Sequence, residues 1–283
     1  MVVEPHLTRY VSHDVTLLGD TSRPGGVTFA YTERTGGVST GKYASLNLGD
    51  ACGDDAAAVA ENRRRALAAL GAEGLAANLV NPRQVHGDHV VVVASADARE
   101  VSRAQQEARE GADAVVCTAA GVPVLLCFAD CVPVVLVARS AFAVVHSGWR
   151  GTVAHISAKA LRVLCKAAGA QASQVRAYVG PHIGAADYEV SQDLMDRFVA
   201  EFGPVAEASP RHLDLEACIR QTLAAEGVAS EQIASVSAST ASSTGRFFSY
   251  RAEGGACGRH GALAFVPPVE ARPAQAGDKT QRS

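Results

Sequence analysis

Three side chains that often bind transition metals stand at the ends of apolar runs or at breaks in them: His86, Cys131 and His146. One thiolate and two imidazoles make a tetrahedral zinc set that leaves the fourth position to water, as catalytic zinc sites do. Such a water becomes a nucleophile near neutral pH. The alternative is a buried cysteine with two hydrogen-bonded histidines, because the wide spacing matches no local metal-binding motif. The position of all three close to Gly or Asp favours the metal site.

The residues that follow His146 predict a second site, for an anion. Residues 146–152 read HSGWRGT, which is typical of a strand, a glycine-bearing loop and a helix start with Thr152 as N-cap. The first N–H groups of a helix and the guanidinium of Arg150 would hold phosphate or carboxylate. On this interpretation Arg150, Gly151 and Thr152 bind the ligand. The alternative is a packed turn in which Trp149 covers the core.

Buried strands and the helices around them must position these residues. Strands are predicted over residues 90–94, 122–137 with a break at 129–131, and 141–145, helices over 56–70 and 152–169, and a short strand with a loop over 45–50. Strands and helices alternate without a strict βαβ rhythm. We therefore predict an α/β (α+β) fold, a single domain of mixed β-sheets flanked by helices. It spans residues 1–266, and residues 267–283, which have few large apolar side chains, are predicted to form a disordered tail.

The composition excludes several functional classes. With 48% apolar and 19% charged residues, the 283-residue chain resembles ordinary compact proteins. Its net charge of -3 gives no basic surface for nucleic acid or membrane, so a small molecule is the expected partner. Neither a signal peptide nor an apolar run of transmembrane length is present, which predicts a cytoplasmic protein. Seven cysteines, an odd number, argue against a disulfide framework.

Eight short motifs occur in the order typical of one protein family. They are RTGGVS (34–39), SLNLG (45–49), ENR (61–63), QVHG (84–87), ADCVP (129–133), HSGWRG (146–151), GPHIG (180–184) and YEV (188–190). With these motifs the chain resembles the YfiH-like laccase-domain family, over about residues 25–266. Members of that family carry names such as polyphenol oxidase, peptidoglycan editing factor and purine nucleoside phosphorylase.

The resemblance implies a zinc enzyme, with copper as the alternative metal. Its metal ligands would be His86, Cys131 and His146, which with Arg150 would also be the catalytic residues. Arg34 and Asn47, from the matching motifs, join Arg150, Gly151 and Thr152 as the residues expected to bind the cofactor, with phosphate on Arg150 and the helix start. The implied reaction is phosphorolysis of purine nucleosides, among them adenosine, inosine, guanosine and methylthioadenosine, with some adenosine deamination. Phosphate would attack the anomeric carbon as the base departs, and in deamination the metal would activate water against the purine ring.

Several positions depart from the family pattern. Ser147 stands where alanine is usual, His182 where serine is usual, Asp187 where a cysteine is common and Ala252 where a second arginine is common. The three metal positions are intact, so the departures concern substrate preference more than fold. A general acid is not identified by the motifs, and His182 and Asp130 are its candidates.

Three other functions fit parts of the pattern. A cysteine hydrolase would use Cys131 as nucleophile and His146 as base, which suits the editing of peptidoglycan precursors. A copper phenol oxidase is disfavoured, because no His-x-His pair occurs among the nine histidines, no histidine adjoins a cysteine, and Met195 is the only methionine after the initiator. A metabolite sensor would use the same pocket without turnover. The oligomeric state has no signature in the sequence.

Overall fold

The computed structural model describes residues 4–236 and 238–268. Its strands are β1 (Thr8–Ser12), β2 (Val15–Gly19), β3 (Thr28–Thr32), β4 (Val90–Val93), β5 (Ala114–Cys117), β6 (Val124–Phe128), β7 (Val132–Ala138), β8 (Ala141–Ser147), β9 (Arg176–Val179), β10 (Glu207–Ser209), β11 (His212–Leu213), β12 (Ile233–Ser235) and β13 (His260–Phe265). Its helices are α1 (Ala56–Ala69), α2 (Ala98–Glu110), α3 (Trp149–Val153), α4 (Ile156–Ala168), α5 (Gln192–Phe202) and α6 (Leu215–Ala225).

Two sheets form the centre of the fold. One has five strands in the order β1-β2-β3-β13-β6, and the other has six in the order β12-β9-β7-β8-β5-β4. The second sheet mixes parallel pairs, β12 with β9 and β4 with β5, with antiparallel ones. The prediction of a single α/β domain of mixed sheets flanked by helices is therefore confirmed.

The two strands at the middle of the six-stranded sheet are buried on both faces. Every residue of β7 and β8 is buried. One face packs against α4, α5 and α6, and the other packs against the five-stranded sheet. Double burial explains why these strands read as continuous apolar runs rather than as alternating patterns. The structure confirms them as strands, with Ala129, Asp130 and Cys131 in the connection between β6 and β7.

The predicted helix with Thr152 as N-cap is wrong at its start. The structure has two helices there, because His155 adopts the left-handed conformation (φ 54°) between α3 and α4. Gly148 is the N-cap residue of α3, so Thr152 lies inside that helix. The Thr152 hydroxyl donates to the Gly148 carbonyl at 3.0 Å and forms a hydrogen bond with the Ser147 hydroxyl at 2.9 Å. These bonds stabilise Thr152 in a helical position.

The short strand predicted over residues 45–50 is also wrong, since this segment is a loop. The side chains of two buried asparagines form hydrogen bonds with backbone groups that would pair with a neighbouring strand in a sheet. Asn62 donates to the carbonyls of Ser45 and Asn47 at 3.2 and 2.9 Å. The Asn47 side chain accepts from the N–H groups of Gly49 and Arg259 at 3.0 and 2.8 Å. The loop is thus a fixed part of the fold.

The predicted tail, residues 267–283, lies outside the described residues except for Pro267 and Pro268. In the described part of the chain, every helix is too short or too polar to cross a membrane.

One buried histidine weakens the fold. His260 is fully buried, and within the described residues neither of its ring nitrogens completes a hydrogen bond. Burial lowers the pKa of His260 to about 3 against the opposite effect of the Pro181 carbonyl, and the nearby guanidiniums of Arg259 and Arg34 lower that pKa further. The folded protein therefore keeps this imidazole neutral.

We expect His260→Leu to stabilise the fold by about 1–3 kcal/mol, because it removes two unpaired buried polar atoms. The gain should grow as pH falls below 6.5, the ordinary pKa of the group. Below that pH, His260 binds a proton in the unfolded chain but not in the folded one. The free energy of unfolding of the wild type therefore falls by about 1.4 kcal/mol per pH unit. Urea unfolding of both proteins at pH 7.5 and 5.5 measures this, and an equal difference at the two pH values would contradict it.

Candidate metal centre

The three predicted metal ligands meet at one end of the six-stranded sheet. The candidate ligand atoms of His86, Cys131 and His146 all lie within 4.8 Å of one another. The two imidazole rings are 4.8 Å apart, edge to face. His86 is exposed, Cys131 is half-buried and His146 is buried, so the group opens to solvent on the side of His86.

Strand pairing explains how Cys131 and His146 meet. Cys131 immediately precedes β7, and His146 lies near the end of β8. These strands are antiparallel neighbours, with Pro133 opposite His146 and Val132 opposite Ser147. The start of one strand and the end of the other therefore share an edge of the sheet, which brings together side chains that are far apart in sequence.

His86 comes from the loop before β4 and is held in an unusual backbone conformation. Its φ is 58°, in the left-handed region, which a residue with a side chain seldom adopts without support. The support is the carboxylate of Asp113, which accepts hydrogen bonds from the N–H groups of Val85, His86 and Gly87 at 3.2, 3.0 and 2.7 Å. The loop is thereby fixed with its imidazole toward Cys131.

Asp113 also orients His146. The Nδ1 atom of His146 lies 2.7 Å from Oδ1 of Asp113, and both side chains are buried. This bond places a proton on Nδ1 and directs Nε2 toward Cys131, so that a metal can take the place of the Nε2 proton, as in many metal sites where a carboxylate holds a histidine ligand. Asp113 is not among the site residues predicted from the sequence. The available signal was a carboxylate at the start of a wholly apolar strand.

Charges within the group favour a thiolate. Burial alone would raise the pKa of Cys131, but the imidazoles of His146 and His86 outweigh it and lower that pKa to about 6. Burial would lower the pKa of His146, but the Cys131 thiolate and Asp113 raise it to about 9. Because metals bind the thiolate form, one deprotonated sulfur and two imidazole nitrogens fit a zinc ion well.

The backbone packs tightly against two of the ligands at Gly148. A Cβ atom on this residue would lie 2.9 Å from the Cys131 sulfur and 3.1 Å from Cδ2 of His86. Real Cβ atoms almost never approach another atom to 2.9 Å, and 3.1 Å is tighter than most such contacts, so a methyl group here would press on both candidate ligands.

We expect Gly148→Ala to lower zinc affinity by about tenfold or more, because the added methyl group displaces a sulfur or imidazole ligand. Competition with a chromophoric chelator measures the affinity. Gly245→Ala is the control, since its Cβ would meet nothing within 4 Å. Equal affinity in the two variants would show that the ligands tolerate the methyl group.

The residues predicted to hold an anion lie next to this group, at the start of α3. Arg150 is exposed, and its guanidinium carbon lies 4.5 Å from the centre of the Trp149 ring. A second exposed guanidinium, that of Arg197 on α5, lies 5.8 Å from the same ring. Within the described residues, neither arginine pairs with a carboxylate. Gly151 is buried, and the N–H and hydroxyl of Thr152 are both bonded within the protein, so Arg150 is the predicted residue best placed to meet an anion.

Arg34 and Asn47 lie in a different set of contacts, among the loops over residues 44–54 and 244–259. Arg34 donates to the Thr244 carbonyl at 2.7 Å and pairs with Glu253 at 3.0 Å. Asn47 is fully buried, and its amide group bonds Gly49 at both ends. The structure thus shows both residues fixing loops, and their part in binding a cofactor stays a prediction.

The two candidates for a general acid point elsewhere. Both oxygens of Asp130 accept hydrogen bonds, from the Thr240 hydroxyl at 2.6 Å and the Arg251 N–H at 2.7 Å. Asp130 therefore ties two loops together. The His182 ring faces Glu216, on α6, rather than the metal ligands.

Known proteins resemble this chain over most of its length. Residues 28–267 match the family model described as multi-copper polyphenol oxidoreductase laccase. A protein of Deinococcus radiodurans named purine nucleoside phosphorylase is 36% identical over 255 residues, 88% of this chain and 93% of its own length. A protein from an unknown prokaryotic organism named adenosine deaminase RL5 is 34% identical, over 68% of this chain and 75% of its own. The crystal structure of YlmD from Geobacillus stearothermophilus superposes with a TM-score of 0.80 at 30% identity, covering 92% of this chain and 98% of that one.

Proposed function

The chain belongs to the multi-copper polyphenol oxidoreductase laccase family, and from this premise we propose that it is a zinc-dependent purine nucleoside phosphorylase. Its substrates would be adenosine, inosine, guanosine and methylthioadenosine, and adenosine deamination would be a second activity. The observation that carries the proposal is the meeting of His86, Cys131 and His146 next to the start of α3, where Arg150 lies on Trp149 and, among the described residues, pairs with no carboxylate. The enzyme names of the similar proteins support it.

The ligand set supports zinc rather than a multi-copper centre. Within the described part of the chain, one group of three or more candidate ligand residues is close enough to share a metal. A blue-copper site with its trinuclear partner needs many more ligands. Zinc, when bound by these three residues, supplies a Lewis acid that can polarise a substrate oxygen or lower the pKa of water.

Arg150 would bind the phosphate that acts as nucleophile. The guanidinium forms paired hydrogen bonds to phosphate oxygens, and its stacking on Trp149 restricts where those bonds can point. A phosphate oxygen then forms a bond to the anomeric carbon while the bond from that carbon to the base nitrogen breaks. The base leaves with the bonding electrons and takes up a proton. Holding both reactants in line lowers the entropy cost of the step.

Incubating the zinc-loaded protein with inosine and phosphate tests the proposal. Release of hypoxanthine together with ribose 1-phosphate, in equal amounts and only when phosphate is present, is the expected result. Adenosine, guanosine and methylthioadenosine are assayed in parallel. Absence of base release from all four nucleosides, with zinc bound, would refute the phosphorylase assignment.

We expect Arg150→Ala to raise the KM for phosphate by about 10- to 100-fold, because a charge-assisted hydrogen bond is lost, and to leave the KM for inosine nearly unchanged. Arg150→Lys keeps the charge without the paired hydrogen bonds, so its KM for phosphate should lie between those of the wild type and Arg150→Ala. The exposed Arg99 is the control position. A phosphate KM that stays at the wild-type value in Arg150→Ala would place the anion elsewhere.

A cysteine hydrolase is the second candidate, because the lowered pKa of Cys131 also suits a nucleophile. In that case His146 would act as the base beside it. Chelation distinguishes the phosphorylase from the hydrolase. It should abolish a zinc-dependent reaction, and readdition of zinc should restore that reaction. A thiolate nucleophile should keep its activity without metal.

A further inference from the structure

A second cleft lies at the end of β9 and β12, beside the first turns of α6. Its volume is about 360 Å³, at the small end of the range for ligand pockets. Polar side chains of His182, Glu216 and Arg220 line it together with the small apolar residues Ala185 and Ala217. It shares no residue with the metal centre.

His182 is buried to all but 6% and directs one nitrogen into this cleft. Its Nδ1 atom lies 2.8 Å from the carbonyl oxygen of Gly180, so Nδ1 carries a proton and donates it. In the neutral ring, Nε2 is then an acceptor. It faces Oε2 of Glu216 across 3.7 Å, which is too long for a direct hydrogen bond in either protonation state.

Glu216 is held as an acceptor as well. Its Oε1 accepts from the guanidinium of Arg220 at 2.6 Å, and its Oε2 accepts from the hydroxyl of Ser235 at 2.8 Å. A carboxylate oxygen has two lone pairs, so Oε2 can take one further donor. The other acidic side chain of the cleft, Asp214, caps α6 through the Ala217 N–H at 2.8 Å. Within residues 4–236 and 238–268, these two acceptors therefore face each other across the cleft without a shared donor.

We propose that this cleft binds a small planar molecule with a primary amino group, of the aminopurine class, in which the amino group bridges His182 and Glu216. An amino nitrogen can lie about 2.9 Å from both acceptor atoms, and it supplies one N–H to each. The flat ring system then contacts Ala185 and Ala217. An oxo group in the same place would bring a third acceptor toward the two, so the cleft discriminates against oxopurines.

Titration calorimetry with adenine and with hypoxanthine tests this inference on the full-length, zinc-loaded protein without phosphate. We expect adenine to bind, and its affinity to fall about tenfold or more in His182→Ala and in Glu216→Gln, since each change removes one acceptor. Ala217→Leu fills the cleft without altering a polar atom and should have the same effect. Hypoxanthine should bind this cleft at least about tenfold more weakly than adenine.

Glu201→Gln is the matched control, because Glu201 pairs with His155 at 2.7 Å on the surface outside the cleft. It should leave adenine binding unchanged. Adenine affinity that is the same in wild type, Glu216→Gln and Ala217→Leu would assign binding to another site and overturn the proposal. So would the absence of adenine binding at millimolar concentration, or equal affinity of this cleft for hypoxanthine. Since binding is measured without turnover, each result is independent of whether the protein is a phosphorylase.

Discussion

Replacing Asp113 by asparagine is expected to weaken zinc binding by about 10- to 100-fold, the usual cost of losing a carboxylate that holds a histidine ligand. Asp113 acts on two ligands at once, because it bonds the Nδ1 atom of His146 and three N–H groups around His86. Asparagine keeps the shape, but its NH₂ group cannot accept from the donors that face it.

Asp113→Ala should have a larger effect on the fold itself. It leaves a buried imidazole and three backbone N–H groups without their acceptor, which we expect to cost about 3–5 kcal/mol of unfolding free energy. Urea unfolding measures the loss, and chelator competition measures the zinc affinity of each variant. Asp88→Asn is the control, since Asp88 lies on the loop that carries His86 and its exposed carboxylate pairs with Lys159. Wild-type zinc affinity in Asp113→Asn would show that the ligands hold their positions without it.

Replacing His86 by alanine is expected to lower zinc affinity by more than about 100-fold and to remove phosphorolysis with it, because two protein ligands do not hold a catalytic zinc. The fold should survive, because the His86 side chain is exposed and the loop around it is fixed through backbone N–H groups. Zinc content by metal analysis and activity with inosine and phosphate are the two measurements.

His89→Ala is the matched control for this variant. His89 lies three residues further along the chain and is half exposed, where it pairs with Glu107 at 3.0 Å. It should bind zinc and turn over inosine as the wild type does. A His86→Ala protein with full zinc occupancy would refute the three-ligand assignment, and one that has lost zinc but retains activity would favour the cysteine hydrolase.

The buried strands were readable from sequence because their burial leaves no choice of residue type. In β7 and β8, both faces meet the core, so every position is apolar or small up to the point where His146 stands. A polar residue at the end of such a buried strand is therefore a candidate for a functional site. The metal ligands could be proposed on this ground, and the motif order strengthened the choice.

The helix start near Thr152 shows where local patterns fail. The apolar spacing is compatible with one helix over residues 152–169, but Thr152 has a partner in Ser147 and Gly148, and His155 turns the chain between two helices. The strand predicted over residues 45–50 is a loop because side chains rather than a neighbouring strand satisfy its backbone: Asn62 on α1 donates to the Asn47 carbonyl, and Asn47 itself accepts from the Gly49 N–H. Side-chain hydrogen bonds, which apolar spacing does not record, decided the position of Thr152 and the course of residues 45–50.

The sequence by itself predicted the fold class and the three residues of the candidate metal group, because burial and ligand chemistry restrict residue type position by position. Only the tertiary structure decided which groups act together. It placed Asp113 behind both His146 and His86, and set His182 against Glu216 rather than against the metal ligands. Such contacts join residues 27 to 34 positions apart in sequence, and no periodicity records a partner chosen by strand pairing and loop closure.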